Sequence, residues 1–275
     1  MLQNKKYRDG VSSLFSYLRR KSMRILYLGD IVGEKTIQAL HQNLENIKKE
    51  FKINLVLCNA ENTSKGKGLT YTNYKELKSL GIAGMTMGNH TFSKSEIKEY
   101  IQEATIARPA NLNTEYGKEV LYIKYNTETI ALVNLLGRTF LNTPLDCPFQ
   151  TFERLLKDIH AEHILVDFHG EATSEKKAFF YAFAGRVDAV LGSHTHIKTD
   201  DSEVYQNTCY ITDMGMCGPK HSILGDEVEG VIERFKSGIF EPLKVAQDRE
   251  YVLNGVILDL GKTNKIEDFK KVVQL

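Results

Sequence analysis

Two histidines, His194 and His196, stand one residue apart in "LGSHTHIK" (191–198), directly after an apolar run. An isolated H-x-H pair is common in loops, so its meaning depends on partners elsewhere. Those partners stand at the ends of other apolar runs. Asp30 follows "RILYLG" (24–29), Glu61 and Asn62 follow "INLVLCNA" (53–60), Asn89 and His90 follow "AGMTMG" (83–88), and His169 follows "HILVDF" (163–168). Singly, each has an ordinary structural explanation: Asp and Asn close turns and cap helices, and a lone histidine is usually a buried, hydrogen-bonded ring. Jointly, five runs that end in Asp, Glu, Asn and His point to a metal centre.

Asp30, Glu61, Asn62, Asn89, His169, His194 and His196 offer more donors than a four-coordinate zinc site uses, and they suit two five- or six-coordinate ions. Imidazole, carboxamide and carboxylate without thiolate favour Mn, Fe or Zn over Ca or Mg. Two such ions, about 3.5–4 Å apart, serve in-line displacement at phosphorus by supplying hydroxide near neutral pH and neutralising phosphoryl oxygens. Phosphoester hydrolysis is the expected chemistry. The departing alkoxide needs a proton. His90, beside a ligand but not required in the set, is the candidate general acid because imidazole titrates near the working pH.

Such a site requires strands whose carboxyl ends share one edge, as in an open parallel sheet. The five apolar runs alternate with helix-like segments: 34–50, with Ile37, Leu40, Leu44 and Ile47 at helical spacing, then 72–80, closed by Gly81, and 93–104. This alternation predicts an α/β fold with a largely parallel, helix-covered sheet. Two stretches read as antiparallel hairpins that would form a second sheet: 120–137, and 240–260, where "EYVLNGVILDLG" pairs with its predecessor. Residues 137–150, with Pro144 and Pro148, read as a loop, and 214–230 shows no clear period.

The chain has 275 residues and a formal net charge of +1, which removes the electrostatic case for a stable duplex nucleic-acid partner. Cys58, Cys147, Cys209 and Cys217 show neither a disulfide framework nor a thiolate zinc spacing, which fits a cytoplasmic setting. No apolar run approaches the roughly 18 residues of a membrane span. Residues 1–22 carry six cations against Asp9 alone. They read as a basic extension outside the core, with Met23 as an alternative start, and they lack the apolar centre of a secretory signal. Their short apolar face (Val11, Leu14, Phe15, Leu18) is a weak basis for membrane attachment. Residues 23–275 are expected to form a single domain.

The motifs "GNH" (88–90) and "GSHTH" (192–196), with Asp30 after an early strand and a downstream His169, resemble the calcineurin-like metallophosphoesterases. That superfamily usually opens with D-x-H and continues with a G-D pair; here position 32 is Val32 and the second motif is "NAENTSKGKGLT" (59–70). These departures, with "GDIVG" (29–33), "TMGNHTF" (86–92), "RPANL" (108–112) and "DFHGEATSEK" (167–176), resemble the YmdB-type branch from about residue 23 to residue 261.

The resemblance implies a four-layer α/β/β/α sandwich and a dinuclear metallophosphodiesterase that opens 2′,3′-cyclic nucleotides to 3′-nucleotides. It also implies two divalent or trivalent transition-metal ions, with Fe or Mn ahead of Zn. Carried over by motif, Asp30 and His196 bind the first ion with help from Asn62; Asn89, His169 and His194 bind the second; Glu61 bridges. The expected partner is a small cyclic nucleotide, and general grounds favour a homo-oligomer. Two rival readings use the same pocket: a broader phosphomonoesterase or phosphodiesterase, and a nucleotide-sensing regulatory protein with residual hydrolysis. Gly66 and Gly68 read either as a turn or as a close approach of backbone to substrate, and Arg108 either as a phosphate partner or as an anchor for the Pro109 loop.

Overall fold

The computed structural model describes residues 23–275, so the expectations for segment 1–22 lie outside the described residues. Strand β1 (Met23–Ile31) is buried almost throughout on both faces. Its side chains alternate: Ile25 and Tyr27 enter one apolar cluster, while Leu26 and Leu28 enter another. A strand with two buried faces must lie in an inner layer.

The first sheet has the order β13-β12-β11-β1-β2-β3-β4. Its strands besides β1 are β2 (Leu55–Asn59), β3 (Ile82–Thr86), β4 (Ile106–Ala107), β11 (Met216–Pro219), β12 (Glu250–Leu260) and β13 (Lys265–Gln274). The second sheet, β5-β6-β7-β8-β10-β9, is built from β5 (Val120–Tyr125), β6 (Glu128–Leu136), β7 (His163–His169), β8 (Ala189–Ser193), β9 (Glu203–Tyr205) and β10 (Thr208–Ile211). Tyr27 and Leu57 from one sheet meet Leu132, Leu165 and Leu191 from the other in the central core.

Helices cover both outer faces. On the first sheet, α1 (Glu34–Glu50) and α2 (Tyr71–Ser79) place Ile37, Leu40, Leu44 and Leu77 against Leu26, Leu28 and Met85. Glu34 in the first turn of α1 and Lys48 and Lys49 in its last complement the helix dipole. Between β3 and β4 lies the single-turn α3 (Ile97–Tyr100). On the second sheet, α4 (Pro148–Leu156) and α5 (Thr173–Phe183) bring Phe152, Phe179 and Phe183 onto Val166 and Phe168. The last helix is α6 (Val228–Ser237). The layers are those of the expected α/β/β/α sandwich.

Four expectations change. The five strands that end in ligand-type residues do not share one sheet: β1, β2 and β3 lie in the first, β7 and β8 in the second, all with carboxyl ends toward one edge. The helix expected at 93–104 contracts to α3, because Ile97, Lys98 and Glu99 donate to Lys94, Ser95 and Glu96 three residues back, closing tight turns around Ser93 and Ser95. Residues 240–249 are not a strand; β12 pairs antiparallel with the following β13 and also with β1 and β11. The segment 214–230 contains β11 and the start of α6.

Candidate metal centre

Period-two alternation aims the second sheet's contribution. In β7, Val166 and Phe168 face the outer helices, while Leu165 faces the central core. Asp167 and His169 therefore continue the inward face toward the strand end. In β8 the same alternation turns Ser193 inward after Leu191. The first sheet answers with Asp30 at the end of β1 and with the loops that leave β2 and β3.

The donors converge on one atom. His169 Nε2 lies 2.8 Å from Glu61 Oε1, 3.1 Å from Asn89 Oδ1 and 3.1 Å from His194 Nδ1. One ring nitrogen cannot make good hydrogen bonds with an amide oxygen, a carboxylate and another imidazole nitrogen together, but all four atoms can face one cation. Glu61, His169 and His194 each offer a ligand atom within 4.8 Å of the others. Behind them Asp30 is fully buried: its Oδ2 accepts from His194 N at 3.3 Å, and among the described residues its Oδ1 has no hydrogen-bond partner, at 3.9 Å from His169 Nδ1. An orphaned buried carboxylate oxygen is a place for a positive charge.

A second group adjoins the first. Asn62 Nδ2 is 3.0 Å from His196 Nε2; with the amide turned over, Oδ1 and Nε2 face the same point. His196 Nδ1 donates to Leu224 O at 2.7 Å, which leaves Nε2 with its lone pair. The expected site residues thus fall into two adjoining groups, joined by Asp30 and by the consecutive Glu61 and Asn62. His90 is tied in by its backbone, whose N–H donates to Glu61 Oε2 at 2.7 Å. Among the described residues, its half-buried ring has only a long contact, 3.5 Å, with Ser93 Oγ.

Charge at the centre is organised around His169. Burial alone would lower its pKa, but Glu61, Asp30 and Asp167 outweigh burial and raise it to about 9. Burial pushes Asp30 up to about 6. Glu61 resists burial because His169 and the His90 N–H hold it down to about 2. His194 falls to about 3 through burial and the adjacent His169. The carboxylates favour positive charge at His169, and a metal ion on the same donors would compete with a proton there.

Several supports escaped the sequence reading. His169 Nδ1 donates to Ser193 Oγ at 2.8 Å, and Ser193 donates onward to Asp167 Oδ1 at 2.5 Å. Asp167 Oδ2 also accepts from Thr86 and from Asn59 Nδ2 at 3.1 Å. The chain of bonds fixes the ring so that Nε2 faces the site. Glu171 Oε2 sits 3.1 Å from His194 Nε2 and leaves Nδ1 for the centre. The 194–196 loop holds two left-handed residues, His194 (φ 99) and His196 (φ 65). Buried Lys176 bonds Ser193 O and Asp213 Oδ2, and Asp213 Oδ2 receives both the backbone N–H and the hydroxyl of Thr195, so this strained backbone is pinned. The available signal was Asp167 itself, a charge inside an apolar strand and on the face of His169.

Gly88 is required by space: a Cβ there would lie 2.4 Å from both Glu61 Oε2 and His169 Nε2. Gly66 and Gly68, with φ of 79 and 81, make a tight turn in which Gly68 N donates to Glu61 O. Arg108 is an anchor: buried, it bonds the carbonyls of Pro109, Ala110, Leu112, Thr114 and Tyr116.

Residues 26–272, which carry every one of these side chains, match the YmdB-like protein family. The chain belongs to this family. A Bacillus subtilis relative, a 2′,3′-cyclic-nucleotide 2′-phosphodiesterase, is 40% identical over 248 residues, covering 88% of this chain and 93% of that one. A phosphatase crystal structure from Mycoplasma pneumoniae superposes with a TM-score of 0.87 at 35% identity, covering 92% of this YmdB-like chain and 95% of its own. A crystal structure of a hypothetical protein from Thermus thermophilus gives a TM-score of 0.87 at 34% identity, over 91% of this chain and 100% of that one. Among the described residues, no helix is long and apolar enough to cross a membrane.

Proposed function

We propose that this chain is a dinuclear-metal phosphodiesterase that hydrolyses 2′,3′-cyclic nucleotides to 3′-nucleotides. The observation that carries the reading is the convergence of Glu61, Asn89 and His194 on His169 Nε2, beside an orphaned Asp30 oxygen. The name of the Bacillus subtilis relative supports the substrate class. The donor set fits two transition-metal ions, with Fe or Mn ahead of Zn. Asn89, His169 and His194 would hold one, Asp30, Asn62 and His196 the other, and Glu61 would lie between them. Bound there, the ions would supply hydroxide near neutral pH and Lewis-acid charge against phosphoryl oxygens.

The chain's own groups do the rest. Asp167, Ser193 and Glu171 hold the two imidazoles so that His169 Nε2 and His194 Nδ1 face the metal centre. Hydrolysis forms a new P–O bond from water and breaks the bond from phosphorus to O2′, which must then gain a proton. His90 supplies it. Burial lowers the pKa of this ring, and a phosphoester anion beside it favours the protonated form. Among the described residues its ring makes no strong hydrogen bond, and its half-buried position leaves it accessible to a leaving oxygen.

Hydrolysis of 2′,3′-cAMP with identification of the product isomer tests the reading. We expect 3′-AMP; 2′-AMP, or equal turnover of 4-nitrophenyl phosphate, overturns the substrate class. For His90→Ala we expect a loss of about 10²–10⁴-fold in rate with metal content retained. Loss of metal in that variant would make His90 a ligand instead.

A further inference from the structure

The loop after β6 has an arrangement that the hydrolytic site does not account for. β6 runs parallel to β7 with Leu136 opposite His169, so residues 137–140 emerge at the same edge as the metal centre. Gly137 N donates to His169 O at 2.9 Å, which fixes the loop against the ligand's own backbone. Glu175, in the first turn of α5, accepts from Arg138 N at 3.0 Å and from Thr139 N at 3.0 Å. The loop is held at its base. Phe140 adopts a left-handed φ of 64 with its side chain 81% exposed. The Arg138 side chain is also exposed, and its guanidinium has no hydrogen bond or ion pair among the described residues.

Neither residue is explained by stability. A phenylalanine that stays in water gains little from the hydrophobic effect, and positive φ is unfavourable for a bulky side chain. An aromatic face on a loop that leaves the same sheet edge as the candidate metal centre offers a stacking platform, because every nucleobase has a π-face. A planar guanidinium two residues away matches phosphate oxygens in fork geometry. We propose that residues 137–140 form the nucleotide subsite: Phe140 stacks on the base, and Arg138 pairs with a phosphoryl oxygen of the same nucleotide. The proposal rests on the reading of the substrate as a nucleotide.

The first test compares 2′,3′-cAMP with the base-free methyl riboside 2′,3′-cyclic phosphate in wild type, Phe140→Ala and Phe140→Trp. We expect Phe140→Ala to reduce kcat/KM for 2′,3′-cAMP about 5- to 150-fold more than for the base-free diester, chiefly through KM, and Phe140→Trp to restore the preference. Equal effects on the two substrates overturn the stacking role. The second test needs no turnover: calorimetric binding of 3′-AMP and of adenosine to the metal-loaded protein. Phe140→Ala should weaken both, and Arg138→Gln should weaken 3′-AMP alone. Unchanged 3′-AMP binding in both variants overturns the subsite even where wild type hydrolyses 2′,3′-cAMP. Weakened binding in a protein that hydrolyses no cyclic nucleotide keeps the subsite and removes the proposed reaction.

Discussion

The two sides of the centre are built differently. On the floor, Glu61 and His169 are almost fully buried beside strand ends, and the His169 ring is locked through Ser193 to Asp167. On the rim, His196 and His90 are only half-buried; His196 is held by the carbonyl of Leu224 in a long connection, and His90 through its backbone. The floor is fixed by the same packing that folds the two sheets, whereas the rim is fixed by loop hydrogen bonds. The ion on His169, whose ring is locked, should therefore bind tightly and early, and the ion on His196, which a loop carbonyl holds, should exchange while substrate enters.

The largest effect expected from this contrast comes from Glu61, which touches both sides. Glu61→Gln should lose turnover altogether and retain less than one ion per chain, by metal analysis and 2′,3′-cAMP assay; retention of both ions would remove Glu61 from the shared position. Next is the buried pair Lys176–Asp213, which ties the rim loop to the floor. Lys176→Met should cost about 3–5 kcal/mol in urea unfolding, because it leaves Asp213 buried without its cation. The same pair sets a pH dependence. Burial alone would raise the Asp213 pKa, but Lys176 and the Gly215 and Thr195 N–H groups hold it below the ordinary carboxylate value. Its contribution is complete above about pH 4 and disappears as the pH falls through the folded value, so Lys176→Met should flatten the acid limb of the stability profile. The smallest effect belongs to Ser193→Ala, which frees the His169 ring without removing a ligand. Metal affinity should fall by about 10–100-fold, and a change confined to the rim ion would contradict the division between floor and rim.

Much of the centre was legible because strand ends are legible. An apolar run followed by Asp, Asn or His reads the same whichever sheet the strand joins, so Asp30, Asn89, His169 and His194 stood out before the pairing was known. Which sheet each strand joins was not legible. Periodicity shows that β7 has two buried faces but says nothing of its neighbours, and the split of five strands between two sheets depends on contacts between residues far apart in sequence. β13 was missed for a related reason: "KIEDFKKVVQ" is mostly exposed, and only Phe269 and Val273 are fully inward. Its strand state comes from pairing with β12 and not from its own pattern. Asp167 and Ser193 were missed because a polar residue inside a strand looks like a defect until its partner across the core is known.

Stepwise metal removal distinguishes a two-ion centre with a tight floor and an exchangeable rim from a single or uniform site. Protein loaded with Mn or Fe would be dialysed against increasing chelator, with bound metal and 2′,3′-cAMP hydrolysis followed together. Two ions per chain are expected at the start and a plateau at one ion, with activity lost at the first step. A single ion at saturation, or simultaneous loss of both with no plateau, would contradict it.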